Sequence, residues 1–293
     1  MDFGLCLPNF RAGSSPQGID AATAAAVDAG WSTVWTTDHL LIDRPNAGDY
    51  GRIYEAILTL AWVGGRHPSI KLGTSVIVIP MRNAVVVAKE LATLDALTGG
   101  RVICGLGIGW DEAEFRNVGV ADQFHRRGAY LDETIRLFRH LWSGSSDPFR
   151  GRFHEFEDFM FEPLPDQGGS LPIVVGGRAP AALERVGALA DGYHSTSTSP
   201  KAYAERIPVI RAAAEKAGRP EPSWSARVRV EPGPARAGAR AYALRGTPDE
   251  MAAEIRAWQD AGVGHLAVWF DETDPLRLTA LIQAFAGDVA AQV

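Results

Sequence analysis

The chain of 293 residues has only two cysteines, Cys6 and Cys104, and lacks the residue spacings of a metal site. Each cysteine falls inside a predicted apolar strand, so we expect two buried free thiols, because disulfides are rare in the cytosol. The seven histidines are scattered, with no H-x-x-x-H or H-x-H pair. The common zinc motifs are therefore excluded, and we predict no metal site.

Long apolar runs and excess positive charge are also missing. No run approaches the roughly 20 residues that a membrane helix needs, and Met1 leads directly into a predicted strand without a signal peptide. The formal net charge of -6 argues against nucleic acid or an anionic membrane surface as a partner. With 46% hydrophobic and 22% charged residues, the composition is typical of a globular protein. We expect a cytoplasmic protein that acts on a small molecule.

The segment RVICGLGIGWDEAEF, residues 101–115, carries the clearest local pattern. Residues 102–106 have almost no polar side chain, which predicts a parallel strand buried on both faces. The strand ends in alternating glycines that include Gly107 and Gly109, and these would let a flat ligand lie against the backbone. Trp110 stands where a Rossmann motif needs its third glycine, and no P-loop lysine follows. A tight turn without a ligand is the alternative.

Predicted strands and helices alternate along the whole chain. The predicted strands are residues 2–7, 33–36, 70–79, 102–106, 172–175, 192–196, 223–230 and 265–270, and most are followed by a helical pattern. Roughly eight such pairs are typical of an α/β fold of the (β/α)8 TIM barrel type. An open doubly wound sheet would need fewer units and a phosphate motif at its first turn, which the sequence lacks. We therefore predict one barrel domain over residues 1–293.

Three other segments interrupt this alternation. Aromatic and polar residues alternate over residues 149–165, which predicts a hairpin or flap within an insertion at 148–168. Residues 111–124 have no clean period and are predicted to be a functional loop. Residues 231–244 are rich in proline, glycine and arginine and are predicted to be a mobile loop.

The C-terminal ends of barrel strands meet at one mouth, where barrel enzymes carry their sites. Gly176, Gly177 and Arg178 lie there, between a predicted strand and a predicted helix. Backbone N–H groups, glycines that permit close approach and a guanidinium predict a phosphate site. Ser195 and Thr196 end the next strand and would complete a phosphate cup. A helix cap with an exposed arginine is the alternative.

Asp38 and His39 follow the second predicted strand. The histidine could protonate a substrate while the aspartate binds a donor, and a structural pair is the alternative. No serine, cysteine or lysine stands out as a nucleophile, which argues against covalent hydrolysis. At the opposite end of the barrel, Asp95 and Arg101 are predicted to form a structural ion pair.

Five segments carry a family resemblance: TTDH, GTSV, GGRVICGLGIGWDEAEF, FRGRFHEFEDFMFEPLP and PIVVGGRAPAALERVGALADGYH. Together they resemble the luciferase-like monooxygenase superfamily, and most of all its branch of probable coenzyme F420-dependent oxidoreductases. The combination of G-I-G-W-x-x-x-E and P-I-V-V-G-G is specific. The resemblance implies a (β/α)8 barrel that holds a flavin or 5-deazaflavin at its mouth. It also implies a cis peptide bond between Ser75 and Val76, behind the cofactor ring.

The resemblance further implies roles for single residues. Asp38 would hydrogen-bond the ring, and His39 would lie beside the reacting carbon. The remaining cofactor contacts would come from Ser75, Val76, Gly107 and Gly109 at the ring and from Gly176, Gly177, Arg178 and Thr196 at the phosphate. Trp110 stands where the family's sugar-phosphate dehydrogenases carry a catalytic glutamate, and Asp43 where they carry a tryptophan. Trp110 therefore joins His39 as a candidate catalytic residue, and a sugar phosphate is not expected as the substrate.

The expected cofactor is coenzyme F420, with FMN as the alternative. In the first hypothesis the protein transfers a hydride between F420 and an activated double bond or carbonyl of a small organic molecule, and His39 handles the proton. In the second, FMN supports an oxygen-dependent monooxygenation. In the third, the barrel is a flavin-binding partner without catalysis. Family likeness also suggests a homodimer.

Overall fold

The computed structural model describes residues 1–233 and 242–293. Eight strand positions, all parallel, close into a barrel, which confirms the predicted fold. The barrel strands are β1 (Asp2–Cys6), β2 (Thr33–Thr36), β3 (Lys71–Thr74) with β4 (Ile77–Val78), β5 (Val102–Gly107), β8 (Ile173–Val175), β9 (Gly192–Thr196), β10 (Ser223–Pro232) and β12 (His265–Phe270). The ring closes because β12 pairs with both β10 and β1.

Among the described residues, three short strands lie outside the ring. Strands β6 (Phe149–Arg150) and β7 (Glu155–Phe156) form an antiparallel hairpin, and β11 (Leu244–Gly246) pairs beside β10. The helices are α1 (Pro16–Asp28), α2 (Ala47–Tyr50), α3 (Ala56–Arg66), α4 (Ala84–Thr98), α5 (Glu112–Asn117), α6 (Arg127–Trp142), α7 (Pro180–Leu189), α8 (Pro200–Ala204), α9 (Ile207–Lys216), α10 (Pro248–Asp260) and α11 (Pro275–Asp288).

The strands are apolar runs in the sequence because most of their residues are buried, on both faces of the sheet. All four residues of β2 and all three of β8 are buried. Inside the ring, Cys6 packs with Trp35, Val174 and Ala267, while the larger core lies between strands and helices. Both cysteines are free and buried, as expected, and burial raises the pKa of Cys6 to about 11.

The third barrel strand is broken where the resemblance places the cofactor. Strand β3 ends at Thr74, β4 begins at Ile77, and the peptide bond between Ser75 and Val76 is cis. The amide N–H of Ser75 donates to the carbonyl oxygen of Thr36 at 2.8 Å, which ties the break to β2. The single strand predicted over residues 70–79 is therefore two segments, and the cis bond agrees with the resemblance.

Residues 111–124 are more regular than the predicted loop. Helix α5 begins after Asp111, whose side chain accepts from the amide of Ala113 at 3.0 Å, and a 3₁₀ turn spans Ala121–Arg126. A six-residue helix is too short to show a hydrophobic period, so the pattern missed it. The predicted loop at 231–244 lies largely outside the described residues, since 234–241 are not part of them. Its described ends belong to β10 and β11.

Asp95 and Arg101 do not form the predicted ion pair. Arg101 donates instead to four backbone carbonyls, those of Gly64, His67, Ile70 and Thr98. Asp95 accepts from the amide of Val102 at 3.1 Å and from Gln167. A planar guanidinium with five donors can bind several carbonyls at once, and here it stabilises the connection between α3 and β5. Across the described residues, no helix is long and apolar enough to span a membrane.

Candidate functional site

The mouth has two parts, which we name by the portion of a cofactor that each could hold. The ring side comprises residues at the ends of β2 to β5: Asp38, His39, Ser75, Val76, Gly107, Gly109 and Trp110. The tail side comprises residues at the ends of β8 and β9: Gly176, Gly177, Arg178, Ser195 and Thr196. Strands β8 and β9 are paired neighbours, so the two halves of the tail side adjoin.

On the ring side, Asp38 is a buried anchor. Its carboxylate accepts from the amide of Val78 at 2.9 Å and from the Arg82 guanidinium at 2.5 Å, and Arg82 also contacts Glu55 at 3.0 Å. Burial is the largest single influence on the pKa of Arg82 and lowers it, but the charge and hydrogen bonds of Asp38 together with the charges of Glu55 and Glu90 outweigh burial and raise that pKa. The loop after β2 is thereby fixed to β4.

His39 is held by a carboxylate that the sequence interpretation did not select. Its Nδ1 lies 2.7 Å from Oε2 of Glu114, and Oε1 of Glu114 accepts from the amide of Leu40 at 2.6 Å. His39 is 7% exposed and Glu114 only 2%. With Nδ1–H donating to Glu114, Nε2 is the nitrogen that remains for a substrate, and no described residue bonds to it. The carboxylate fixes the orientation of the imidazole.

Trp110 lies beside this pair. Its ring centroid is 5.9 Å from that of His39, at an interplanar angle of 75°, and its side chain is 54% exposed. Tyr50 approaches His39 more closely, with centroids 4.3 Å apart. The structure therefore brings the two candidate catalytic residues together and adds a tyrosine that the sequence did not indicate.

Ser75 is hydrogen-bonded through its side chain and its carbonyl. Its carbonyl accepts from Arg227 Nη1 at 3.0 Å, and its Oγ lies 2.9 Å from His194 Nε2. Nδ1 of His194 lies 2.9 Å from the Ser225 hydroxyl, which itself donates to the carbonyl of Tyr193. The proton is therefore on Nδ1, and Nε2 accepts from Ser75. Burial lowers the pKa of His194 to about 3, so the ring is neutral.

The glycines of β5 are required by packing within the protein. A β-carbon on Gly107 would lie 2.5 Å from Cγ2 of Val76. One on Gly109, whose φ is +74°, would lie 2.6 Å from Cγ1 of Val78. The end of β5 can therefore lie close against the segment that follows the break in the third strand, and the two together form one surface of the ring side.

The tail side contains polar groups that the protein leaves unsatisfied. The hydroxyl of Ser195 is buried, with 1% of the residue exposed, and bonds to no described residue. The first turn of α7 has no side-chain cap. Arg178 is exposed just before that turn, and the described chain offers it no ion-pair partner. In that turn Pro180 has no N–H and the amide of Ala182 donates to the carbonyl of Ala179, so the amide of Ala181 is the one that remains. A buried hydroxyl, a helix N–H group and a guanidinium are donors that can bind a phosphate.

A family model described as luciferase-like monooxygenase matches residues 1–245. The chain belongs to the luciferase-like monooxygenase family. A similar curated member is an F420-dependent glucose-6-phosphate dehydrogenase of Kineococcus radiotolerans, 33% identical over 200 residues that cover 67% of this chain and 58% of that protein. Another, of Nakamurella multipartita, is 32% identical over 70% of this chain and 60% of its own. This family member therefore spans about three fifths of the curated relatives it matches.

Two solved structures show the same fold. One is an F420-dependent secondary alcohol dehydrogenase in complex with an F420-acetone adduct, with a TM-score of 0.85 and 17% identity over 100% of this chain and 99% of that one. The other is the oxygenating constituent of 3,6-diketocamphane monooxygenase of Pseudomonas putida in complex with FMN, with a TM-score of 0.80 and 17% identity over 100% and 98%. At these identities the likeness concerns the barrel alone.

Proposed function

We propose that this family member is an F420-dependent oxidoreductase that transfers a hydride between the deazaflavin and a small organic molecule. The observation that carries the proposal is His39, held by Glu114 with Nε2 free, beside a strand break flanked by glycines. The printed names of the curated relatives support F420 as the cofactor. When bound, F420 supplies the hydride chemistry.

The two parts of the mouth would hold the two parts of the cofactor. The ring would lie on the surface formed by Ser75, Val76, Gly107 and Gly109, where Val76 is partly exposed. A carboxylate has about four lone-pair positions, and three protein donors reach that of Asp38, so one remains for a ring N–H. The phosphate would bind on the tail side and satisfy the Ser195 hydroxyl.

His39 would move the proton of the reaction. Protonated on both ring nitrogens, His39 would donate from Nε2 to the substrate atom that becomes basic as a hydride arrives at the neighbouring carbon, and Glu114 would hold the ring in place. Trp110 would shield this point from water. In the reverse reaction Nε2 would accept the proton from an alcohol.

A fluorescence titration of the apoprotein with F420 and with FMN tests the proposal. We expect saturable binding of F420 at lower concentration than FMN, followed by oxidation of reduced F420 in the presence of an enone or ketone. Tighter binding of FMN together with oxygen consumption would instead identify a monooxygenase. Tight cofactor binding with no turnover over a broad panel would identify a non-catalytic flavin protein.

We further propose a cytoplasmic homodimer in which residues 1–293 form one domain with an insertion at 148–168. Two free buried cysteines fit a reducing compartment. Helix α3 exposes Leu58 and Trp62, at 70% and 41%, and a second copy would cover them. Light scattering should give a dimer mass that Leu58→Glu reduces to that of a monomer, and a monomeric wild type would reject this part.

A further inference from the structure

The ring side opens onto a continuous series of aromatic rings. His39 contacts Tyr50 at 4.3 Å between ring centroids, and Tyr50 stacks on Phe10 at 5.8 Å and 23°. Phe10 in turn lies 5.9 Å from Trp269, at the end of β12. Trp110 adds a half-exposed ring on the same histidine. The surroundings of the proton donor are therefore mainly faces and edges of aromatic rings.

Three arginines lie against this series of rings and make cation–π contacts with it. The guanidinium carbons of Arg11, Arg227 and Arg229 lie 5.4, 5.6 and 5.3 Å from the Trp269 ring centroid. Arg227 also donates to the carbonyl of Ser75, which places the series at the same mouth as the ring side. Cations stacked on a ring in this way stabilise the wall of the pocket.

The other two arginines are paired with carboxylates. Arg11 contacts Asp49 at 2.9 Å and Asp271, and Arg229 contacts Glu231 and Asp271, both at 2.8 Å. Arg227 has no carboxylate partner among the described residues, and its guanidinium donates to the carbonyl of Ser75. An anionic substrate would therefore have to displace a carboxylate from Arg11 or Arg229, or the Ser75 carbonyl from Arg227, to gain a cation. An uncharged substrate can bind without breaking these contacts, since it can pack against the aromatic rings.

We propose that the substrate of this site is an uncharged conjugated ketone, such as an aryl-substituted enone, and not a sugar phosphate. The inference rests on the proposed function and specifies its substrate class. The flat conjugated part would lie against Trp110 and Tyr50, with the carbonyl end turned toward His39.

The reaction balances with groups already named. The β-carbon of the enone gains a hydride, which carries both electrons, and the C=C π bond breaks. The α-carbon receives a proton from His39 Nε2, and solvent returns that proton to the imidazole. The reduced cofactor is thereby oxidised, and the product is the saturated ketone.

The test uses the F420-loaded protein and three probes: 4-phenyl-3-buten-2-one, its para-carboxylated analogue and glucose 6-phosphate. Binding is measured at equilibrium. Turnover of the enones is measured by oxidation of reduced F420, and turnover of glucose 6-phosphate by reduction of oxidised F420. We expect the neutral enone to bind and be reduced, and its carboxylated analogue to bind at least tenfold more weakly. Glucose 6-phosphate should be neither bound nor oxidised.

Trp110→Ala should weaken binding of the neutral enone by about five- to tenfold, the size of one aromatic contact, and Trp110→Phe should restore most of it. The control is Leu97→Ala, which removes an exposed apolar side chain from the C-terminal end of α4 and should leave binding unchanged.

Tighter binding of either anion than of the neutral enone would overturn the inference, as would failure of the neutral enone to bind at all. An unchanged affinity in Trp110→Ala would overturn it too. Failure of the proposed function is distinguishable, because it appears as missing F420 binding before any substrate is added.

Discussion

The ring side and the tail side of the same mouth differ in how fully the protein satisfies their polar groups. Ser75 bonds to Thr36, His194 and Arg227, and its hydroxyl is used within the protein. Ser195 is more deeply buried than Ser75, at 1% against 7% exposed, but its hydroxyl bonds to no described residue. An unsatisfied buried hydroxyl costs about 1 to 3 kcal/mol. Ser75 is therefore fully engaged within the protein, whereas Ser195 would gain a hydrogen bond when an anion binds.

The largest expected effect concerns the proton donor on the ring side. His39→Ala should lower kcat by about 10²- to 10⁴-fold, because general acid catalysis is lost, while the dissociation constant of F420 changes little. Stopped-flow oxidation of reduced F420 measures the first quantity and fluorescence titration the second. His140→Ala, on α6 and bonded to the carbonyl of Asp147, is the control. Full turnover in His39→Ala would remove the histidine from the mechanism.

The next effect concerns the carboxylate that orients the imidazole. Glu114→Gln should lower kcat at least tenfold. The neutral amide oxygen of glutamine accepts the Nδ1–H hydrogen bond less strongly than a carboxylate does, so the imidazole is held less firmly. Glu112→Gln changes an exposed glutamate two residues away on α5 and should be neutral. Equal effects of the two substitutions in steady-state kinetics would contradict the positioning role.

His194, the buried histidine that bonds to the Ser75 side chain, makes the free energy of unfolding depend on pH. The pKa of His194 is lowered to about 3, so only the unfolded state binds a proton there between pH 6.5 and 3. Its contribution to stability is therefore complete above pH 6.5 and is lost as the pH falls toward 3, by up to about 1.4 kcal/mol per pH unit. Urea unfolding of His194→Gln should show a flatter acid limb than the wild type and than His125→Gln, an exposed control. Identical limbs would mean that His194 is protonated in the fold.

The smallest effect separates the two serines directly. Ser75→Ala should lower the free energy of unfolding by about 1 kcal/mol, because His194 loses its donor. Ser195→Ala should leave it unchanged or raise it, because an unsatisfied hydroxyl is removed, and should weaken F420 binding. Chemical denaturation of the apoprotein gives the free energy of unfolding of each variant, and titration with F420 gives its dissociation constant. The comparison fails if Ser195→Ala destabilises as much as Ser75→Ala.

The barrel could be predicted because its strands are short apolar runs between clear turn residues. Strands β9 and β12 begin and end where the sequence predicted. The break at Ser75 could not follow from composition, since residues 70–79 form one β-branched run. It came from the family resemblance alone.

The site was predicted less completely, because its partners lie far apart in sequence. His39 and Glu114 are 75 residues apart, and Ser75 and His194 are 119 apart. No local pattern connects such residues, although Glu114 is the last residue of G-I-G-W-x-x-x-E. Arg101 shows a different error. Its expected place beside Asp95 at the opposite end of the barrel suggested an ion pair, but Arg101 donates to backbone carbonyls instead.

The most direct measurement is a binding cycle with F420 and its tail-less chromophore, 8-hydroxy-5-deazariboflavin, on the wild type and Arg178→Ala. Wild type should bind F420 at least tenfold more tightly than the chromophore, since a charge-assisted hydrogen bond contributes about 1.5 to 3 kcal/mol. Arg178→Ala should remove most of that difference and leave chromophore binding unchanged, while Arg136→Ala, an exposed arginine on α6, should change neither. Equal affinity of the wild type for both ligands, or equal loss of both in Arg178→Ala, would contradict the division of the mouth into ring and tail sides.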